Sequence, residues 1–480
     1  MAYKNLQDFI HALEAMGELK RINAEVSPEL EITEIADRMS KTNGPALLFE
    51  SVKGSRFPLL INAFGSYRRM ESALNCSSFD DIAKRITEYL HVKPPESFTD
   101  KIKMLFTLKE VADYLPKKVK KAPCQDTVYD SGKMLDRLPI LTCWPHDGGP
   151  FITLPIVITK DPENGIQNIG MYRMHKYDNT STGMHWQYNK DGTRHFDKFK
   201  NMGKRMEVAV ALGGSPAVTY AATAPLPPDV DELVFAGFLN SERVEIIKAK
   251  TVDLMVPAES DFIIEGYVDP SEEKIEGPFG DHTGFYSPAD TYPVFHVTCI
   301  TCRKNAVYPA TVVGKPPMED CYMAKATERI FLPMIKMLVP EISDLELPME
   351  GVFHNCALVS IDKKYAGQAK KVINILWGLG QMASTKFIAV FDEDIDLRDT
   401  RTVVWKLLNN VDPGRDLLFS EGPLDALDHS SSYPNYGGKM GIDATRKTRE
   451  EGMGREWPEE IKMDKKIKAM VDSRWKEYGF

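Results

Sequence analysis

DFIIEGYV at residues 261–268 and PVFHVTCIT at residues 293–301 are the stretches on which the fold turns. Each is rich in β-branched and aromatic residues, too short for a buried helix, and flanked by turn-forming residues, so each predicts a strand. The same signature recurs outward from them in FITLPIVITK (151–160), NIGMYRMHKY (168–177), MEVAVALGG (206–214) and AVYPATVVG (306–314). Strand after strand with turn residues between them predicts an antiparallel barrel or sandwich over residues 128–315. Within it CITC sets Cys299 and Cys302 three apart on a strand, hence on opposite faces, which favours two structural thiols over a shared metal or a redox pair.

The flanks read differently. LQDFIHALEAM and EITEIADRMS carry helical spacing, and PALLFE and FPLLINAF read as short buried strands, so the first hundred residues predict a small α/β unit. YLPKKVKKAPCQDT (114–127) has few apolar anchors and predicts a linker or exposed loop. From Asp320 onward CYMAKATERIFLPMIKML, HNCALVSI, AKKVINILWGLG and KFIAVFDEDID alternate helix and strand, which predicts a second α/β unit. Residues 446–480 form a charged helical tail with Trp457 and Trp475, suited to packing on a neighbour or another subunit.

Composition narrows the function. A chain of 480 residues, 43% hydrophobic, exceeds what one core organises and predicts two or three domains. The net charge of −9 opposes a nucleic-acid backbone. No apolar run reaches the roughly 18 to 20 residues needed to cross a bilayer, and the amphipathic start is no signal peptide, so a soluble intracellular protein is expected. Seven scattered cysteines argue for reduced thiols.

Three constellations could carry chemistry. QNIGMYRMHKYDNTSTGMHWQYNKDG (167–192) reads as a strand with Asn168 and Arg173 that turns and returns through His185 and Trp186 to Lys190. Strand periodicity then sends Asn168 and Arg173 to opposite faces, one an oxygen ligand for a metal, the other a planar fork for a carboxylate. Glu232 opens the apolar run of DVDELVFAGFL; it either caps a helix N-terminus or joins Asn168 around a hard divalent cation. KIEGPFGDHTGFYSP (274–288) sets Glu276, Asp281 and His282 on a backbone broken by glycine and proline. By itself it reads as a tight turn; near an arginine the acids could relay a proton, provided desolvation raises Asp281 from its ordinary pKa of about 3.9. Lys386, ahead of a buried strand, reads as a solvated lysine or a phosphate contact.

Many motifs occur here in the order found in one family. GELKRI, EITEIADR, GPALLFE, APCQDTV, LPILTCWP, QNIGMYR, VALGGSPA, EGPFGDHTGFY, VVGKPPMED, KKYAGQAKKV, STKFIAVFDEDID and GGKMGIDATRK run along nearly the whole chain, which thereby resembles the UbiD family of decarboxylases. The resemblance implies an N-terminal α/β domain (1–115), a central split β-barrel that holds the flavin (116–315), a C-terminal α/β domain (316–445) and a helical tail that contacts another subunit (446–480). It implies a non-oxidative, reversible carboxy-lyase that uses prenylated FMN with Mn2+ or another divalent metal, and with K+. Arg173, Glu276 and Asp281 match the family's catalytic network, Asp281 being the proton donor. Met171, Tyr172, Arg173, His185, Trp186, Gln187, Lys190, Asp191 and Lys386 match cofactor-binding positions. Asn168 and Glu232 match metal ligands; Asn189 stands where many members have a histidine, so Asn189, His185 or His195 would complete the set. The implied substrate is an aromatic carboxylic acid, first a quinone precursor such as 3-polyprenyl-4-hydroxybenzoate of the ubiquinone pathway. A dihydroxynaphthoate type of the menaquinone pathway, simple phenolic acids and an inactive flavin-binding homologue are the alternatives. A flavin prenyltransferase as cofactor supplier, a homodimer or homohexamer, and a cytoplasmic location with at most peripheral membrane contact complete the expectation.

Overall fold

The chain is described from a computed structural model over residues 2–90, 112–187, 190–226 and 230–480. Its centre is an antiparallel sheet in which the two opening stretches are neighbours: Phe262–Glu276 pairs with Asp290–Cys302. The sheet runs Ser181–Gly183, Asp290–Cys302, Phe262–Glu276, Met206–Leu212, Ile156–Lys160, Gln167–Met171, with Thr127–Tyr129 also on Asp290–Cys302. The two end strands do not pair with each other, so among the described residues the sheet is an open path and no closed barrel forms by hydrogen bonding.

Both faces of the sheet are buried, which is why its strands read as near-continuous apolar runs. Ile156, Ile158, Ala209, Ala211 and Ile263 share a core with the helices Leu6–Ala15, Pro216–Ala221 and Glu232–Asn240. Val157, Val208, Val210, Phe262 and Ile264, the alternate residues of the same strands, join Leu47, Phe49 and Leu59 of the N-terminal sheet. That sheet contains Leu19–Val26, Ala46–Val52 and Leu59–Ile61, and its fourth strand is Tyr308–Pro309, delivered from the far end of the central unit. The N-terminal and central units therefore share cores.

The C-terminal unit is a five-stranded sheet, Ile342–Glu346, Cys356–Ile361, Phe387–Asp392, Tyr436–Asp443, Leu417–Pro423, with the inner three strands parallel. One face packs on Ala369, Val372, Ile373 and Leu376 of the helix Gln368–Trp377. The other packs on Val403 of the helix Thr400–Asn410. The tail carries the helix Lys465–Ser473, none of whose residues is buried. No described helix is long and apolar enough to cross a membrane.

Two local expectations change. Residues 114–127 are not a free linker: Lys117–Lys118 pairs in parallel with Glu245–Lys248, and Cys124 is wholly buried. Strand pairing uses backbone groups, so lysine side chains that point to solvent do not prevent it. Gln167–Met171 pairs with Ile156–Lys160, and the expected hairpin is short: Lys176 bridges Thr182 antiparallel and His185 donates its N–H to Arg173 O at 3.3 Å. Cys299 and Cys302 lie buried on one strand as free thiols, as their spacing predicts.

Candidate active site

Arg173 lies in the break between Gln167–Met171 and Met174–His175, Glu276 ends the long strand Phe262–Glu276, and Asp281 follows the short strand Phe279–Gly280. The turn that separates the two acids is glycine-dependent for two distinct reasons. Gly277 has φ +92°, a left-handed conformation that favours glycine. A Cβ on Gly280 would lie 2.1 Å from the Trp144 ring, so here glycine admits an indole of the protein itself.

The geometry is a fork. Arg173 donates from Nε to Glu276 Oε1 at 2.9 Å and from Nη2 to Glu276 Oε2 at 3.4 Å, and its Nη1 donates to Asp281 Oδ2. Nη2 also donates to Ser287 Oγ at 3.2 Å, and the Phe279 ring lies 4.5 Å from the guanidinium carbon. His185 Nδ1 is 2.9 Å from Glu276 Oε2. Burial alone would raise Glu276, but the His185 hydrogen bond and the Arg173 charge outweigh it and hold the carboxyl down to about 2. Asp281 behaves likewise: burial pushes it up, while the His282 hydrogen bond and the Arg173 charge carry it well below the ordinary range. The condition set for Asp281 as a proton donor, a raised pKa, is not met; in this charge environment it rests as a carboxylate.

A second cluster forms where two helices begin. Glu232 is the first residue of Glu232–Asn240, and the helix is capped by Asp231, whose carboxylate accepts from Leu233 N at 2.7 Å. Capping is therefore done by the preceding residue, and Glu232 is turned to Asn168. Asp191, the first residue of Asp191–Met202, completes the cluster. One end of the Asn168 amide lies 3.1 Å from Glu232 Oε1 and 3.3 Å from Asp191 Oδ2. With nitrogen there the amide donates to both carboxylates; with oxygen there three oxygens converge, which a cation satisfies. Burial, reinforced by the charges of Asp231 and Asp191, pushes Glu232 up to about 7 against hydrogen bonds from backbone N–H groups including Ile169. Among the described residues no three His, Cys, Asp or Glu side chains are placed to hold a metal ion, so a metal here would need the amide oxygen.

The remaining expected positions divide. Tyr172 lies in the same cluster beside Asn168 and Gly192, its phenol raised to about 12 by burial. The buried Trp186 packs on Phe196 with its indole N–H unpartnered. Met171 donates its N–H to Ala222 O, Gln187 accepts from the Thr193 hydroxyl at 2.5 Å, and Lys190 precedes the Asp191 helix. His195 Nδ1 is 2.8 Å from the Thr159 hydroxyl. Asn189 lies outside the described residues. Lys386 stands apart from both clusters: its ammonium is bonded in the C-terminal unit to Asp428 Oδ2 at 2.8 Å and to Ser430.

Sequence reasoning undervalued His282, which donates its backbone N–H to Asp281 Oδ1 at 2.8 Å and holds its Nδ1 2.9 Å from the same oxygen. Adjacency to Asp281 was the available signal. It missed Trp144 and Ser287, although LPILTCWP and KIEGPFGDHTGFYSP contain them, and His354, which was passed over at the start of the strand HNCALVSI.

The sequence and the fold are shared with known proteins. Family models described as the N-terminal domain, the Rift-related domain and the C-terminal domain of 3-octaprenyl-4-hydroxybenzoate carboxy-lyase match residues 10–86, 117–316 and 321–444. An uncharacterized protein of Archaeoglobus fulgidus is 52% identical over 479 residues, 99% of each chain. Vanillic acid decarboxylase of Sedimentibacter hydroxybenzoicus in closed form superposes with a TM-score of 0.85 at 28% identity, covering 100% of this chain and 99% of that one. The UbiD-class enzyme HmfF of Pelotomaculum thermopropionicum, in an evolved dimeric form with prFMN, gives 0.80 at 27% identity, covering 97% and 98%. With three models in chain order over most of its length, the chain belongs to the UbiD carboxy-lyase family.

Proposed function

We propose that the chain is a non-oxidative decarboxylase of an aromatic carboxylic acid that works with prenylated FMN. The observation that carries the reading is Arg173 held between Glu276 and Asp281 in one buried network. Bound prenylated FMN would supply the electron sink that loss of CO2 from an aromatic ring requires. The chain's own residues do the rest. Among the described residues one N–H of Arg173 Nη1 has no partner and is free to bind the substrate carboxylate, while Glu276 fixes the plane of the fork. Asp281, bonded to the same guanidinium, hands a proton to the carbon that CO2 leaves. The Phe279 ring lies against the Arg173 guanidinium and the Tyr292 ring against that of His185.

Asn168, Glu232 and Asp191 fit a divalent metal, Mn2+ in our reading, with K+ as a further ion at the flavin phosphate. Asp191 takes the third position first expected of Asn189. The buried Trp186 N–H, without a partner among the described residues, would suit a polar group of the cofactor. The open central sheet is read as the wall of a split barrel, with domains at 1–115, 116–315 and 316–445 and an oligomer-contacting tail at 446–480. A cytoplasmic homo-oligomer supplied by a flavin prenyltransferase follows from the same reading.

For substrate, a quinone precursor of the 3-polyprenyl-4-hydroxybenzoate type is supported by the description of the matching family models. A simple phenolic acid is the second reading, supported by the likeness to vanillic acid decarboxylase. The test is CO2 release by flavin-loaded protein from a panel containing 4-hydroxybenzoate, its prenylated forms, vanillate, 3,4-dihydroxybenzoate and 1,4-dihydroxynaphthoate. Release from one acid class identifies the substrate; flavin binding with no release from any acid refutes the decarboxylase reading.

A further inference from the structure

Each decarboxylation replaces a C–COO− bond by a C–H bond, so one proton enters the product for every CO2 that leaves. Asp281 delivers it in the reading above, yet Asp281 rests as a carboxylate, and its proton must be kept elsewhere. The His282 ring lies between Asp281 Oδ1, 2.9 Å from its Nδ1, and His354 Nε2, 2.9 Å from its Nε2. Asp281 and His282 belong to the central unit, and His354 comes from the C-terminal one.

Two imidazole nitrogens 2.9 Å apart bond only when one donates and the other accepts. The charges around them decide which. His282 faces Asp281, Asp320 and Asp425, with Phe353 stacked on its ring at 5.1 Å. Burial opposes its charge, but the Asp281 hydrogen bond and charge overcome this and raise it. His354 faces Asp425, 3.9 Å away, and Asp428, and its Nδ1 is 3.1 Å from Asn355 Oδ1. Burial, with the His282 charge, holds it below its ordinary value although Asp425 pulls the other way. His282 is then the imidazolium, with both ring N–H groups bonded, and His354 the neutral acceptor.

We propose that His282 is the proton store that loads Asp281, and that His354 of the C-terminal unit caps this store while the two units are docked. Both are positioning residues, acting through Asp281, and the inference rests on the decarboxylase reading. The His282 Nδ1 proton moves to Asp281 Oδ1, and the proton on Asp281 moves to the carbon freed of CO2. The ring is left neutral with its remaining hydrogen on Nε2, still donated to His354, and regains a proton from solvent before the next cycle. Below the pH at which His354 takes a proton, two donors face each other and the cap is lost. Above the His282 pKa the store is empty.

The test uses flavin-loaded protein with 4-hydroxybenzoate, 3,4-dihydroxybenzoate and vanillate as probes. His282→Gln keeps an N–H for Asp281 but has no proton to transfer. It should bind flavin with unchanged absorbance, lose at least about tenfold in kcat, and lose the alkaline limb of the kcat–pH profile. His354→Asn should move that limb to lower pH. A His282→Gln variant with the wild-type kcat and profile overturns the proposal. A second measurement needs no turnover: carbon-resolved NMR of the histidine rings in wild type and Asp281→Asn. The His282 ring should titrate above the ordinary value of about 6.5 and fall in the variant. If no probe releases CO2 the function reading fails on its own, and a His282 ring that titrates at or below the ordinary value overturns the store in either case.

Discussion

The central unit holds two pairs of acids that fold has treated in opposite ways. Glu276 and Asp281 share the Arg173 guanidinium, and both are held below the ordinary carboxylate range. Glu232 and Asp191 meet over an amide, and Glu232 rises to about 7. Burial pushes Glu276, Asp281 and Glu232 up alike; the Arg173 charge opposes it for the first two, backbone N–H groups oppose it at Glu232, and Asp191 is ion-paired with Arg194. Among the described residues Glu232 has no cationic partner, and a buried carboxylate so placed bears a cost that an added ion offsets. In the proposed reading the contrast separates a network that acts from a socket that receives.

The sharpest way to break this contrast is at Asp281. Asp281→Asn keeps the shape and removes the transferable proton, so CO2 release should fall by roughly 10²–10⁴-fold while flavin absorbance is retained; near-normal turnover would clear Asp281 of its role. Arg173→Met removes the guanidinium that two buried acids share. Turnover should be lost and unfolding should come earlier by about 3–5 kcal/mol, which chemical denaturation reads directly.

Glu232→Gln tests the socket. Mn2+ should raise the melting temperature of wild type and do so much less for the variant, whose Mn2+ affinity should drop by tenfold or more. Equal stabilisation of both proteins would place the metal elsewhere. A gentler probe is acid. Glu276 is lowered from 4.5 to about 2, so its contribution is present above pH 4.5 and fades as pH falls towards 2. Glu276→Gln should flatten that part of the stability curve while weakening the protein at neutral pH. The smallest effect is expected at Lys386, whose anionic partner is Asp428. Lys386→Gln should leave flavin affinity within about twofold, and a large loss would restore the phosphate contact first read for it.

The fold was legible because strands buried on both faces announce themselves: Phe262, Ile263 and Ile264 feed alternate cores and form an unbroken apolar run. The 114–127 segment misled because its order comes from backbone pairing, which side chains do not report. At the site, Glu276 and Asp281 stood out through the irregular backbone they share. Their link to Arg173, a hundred residues away, came through the family resemblance, since no spacing rule reaches that far. The sign at Asp281 was not legible, because burial can be guessed from a sequence, whereas the Arg173 and His282 charges that outweigh it depend on tertiary contact. Asp191 was placed with the flavin contacts, and only the meeting of two helix starts shows it beside Asn168 and Glu232.

The Tyr308–Pro309 strand that completes the N-terminal sheet has a bearing on synthesis. On the ribosome, Leu59–Ile61 emerges long before the residues that cover its edge. At roughly 5–20 residues per second the wait lasts on the order of tens of seconds. During that interval the nascent chain exposes an apolar strand edge, the kind that pairs with other chains. The first ninety residues are therefore a poor independent product: their last strand is written near the end of the second unit, and the two mature together.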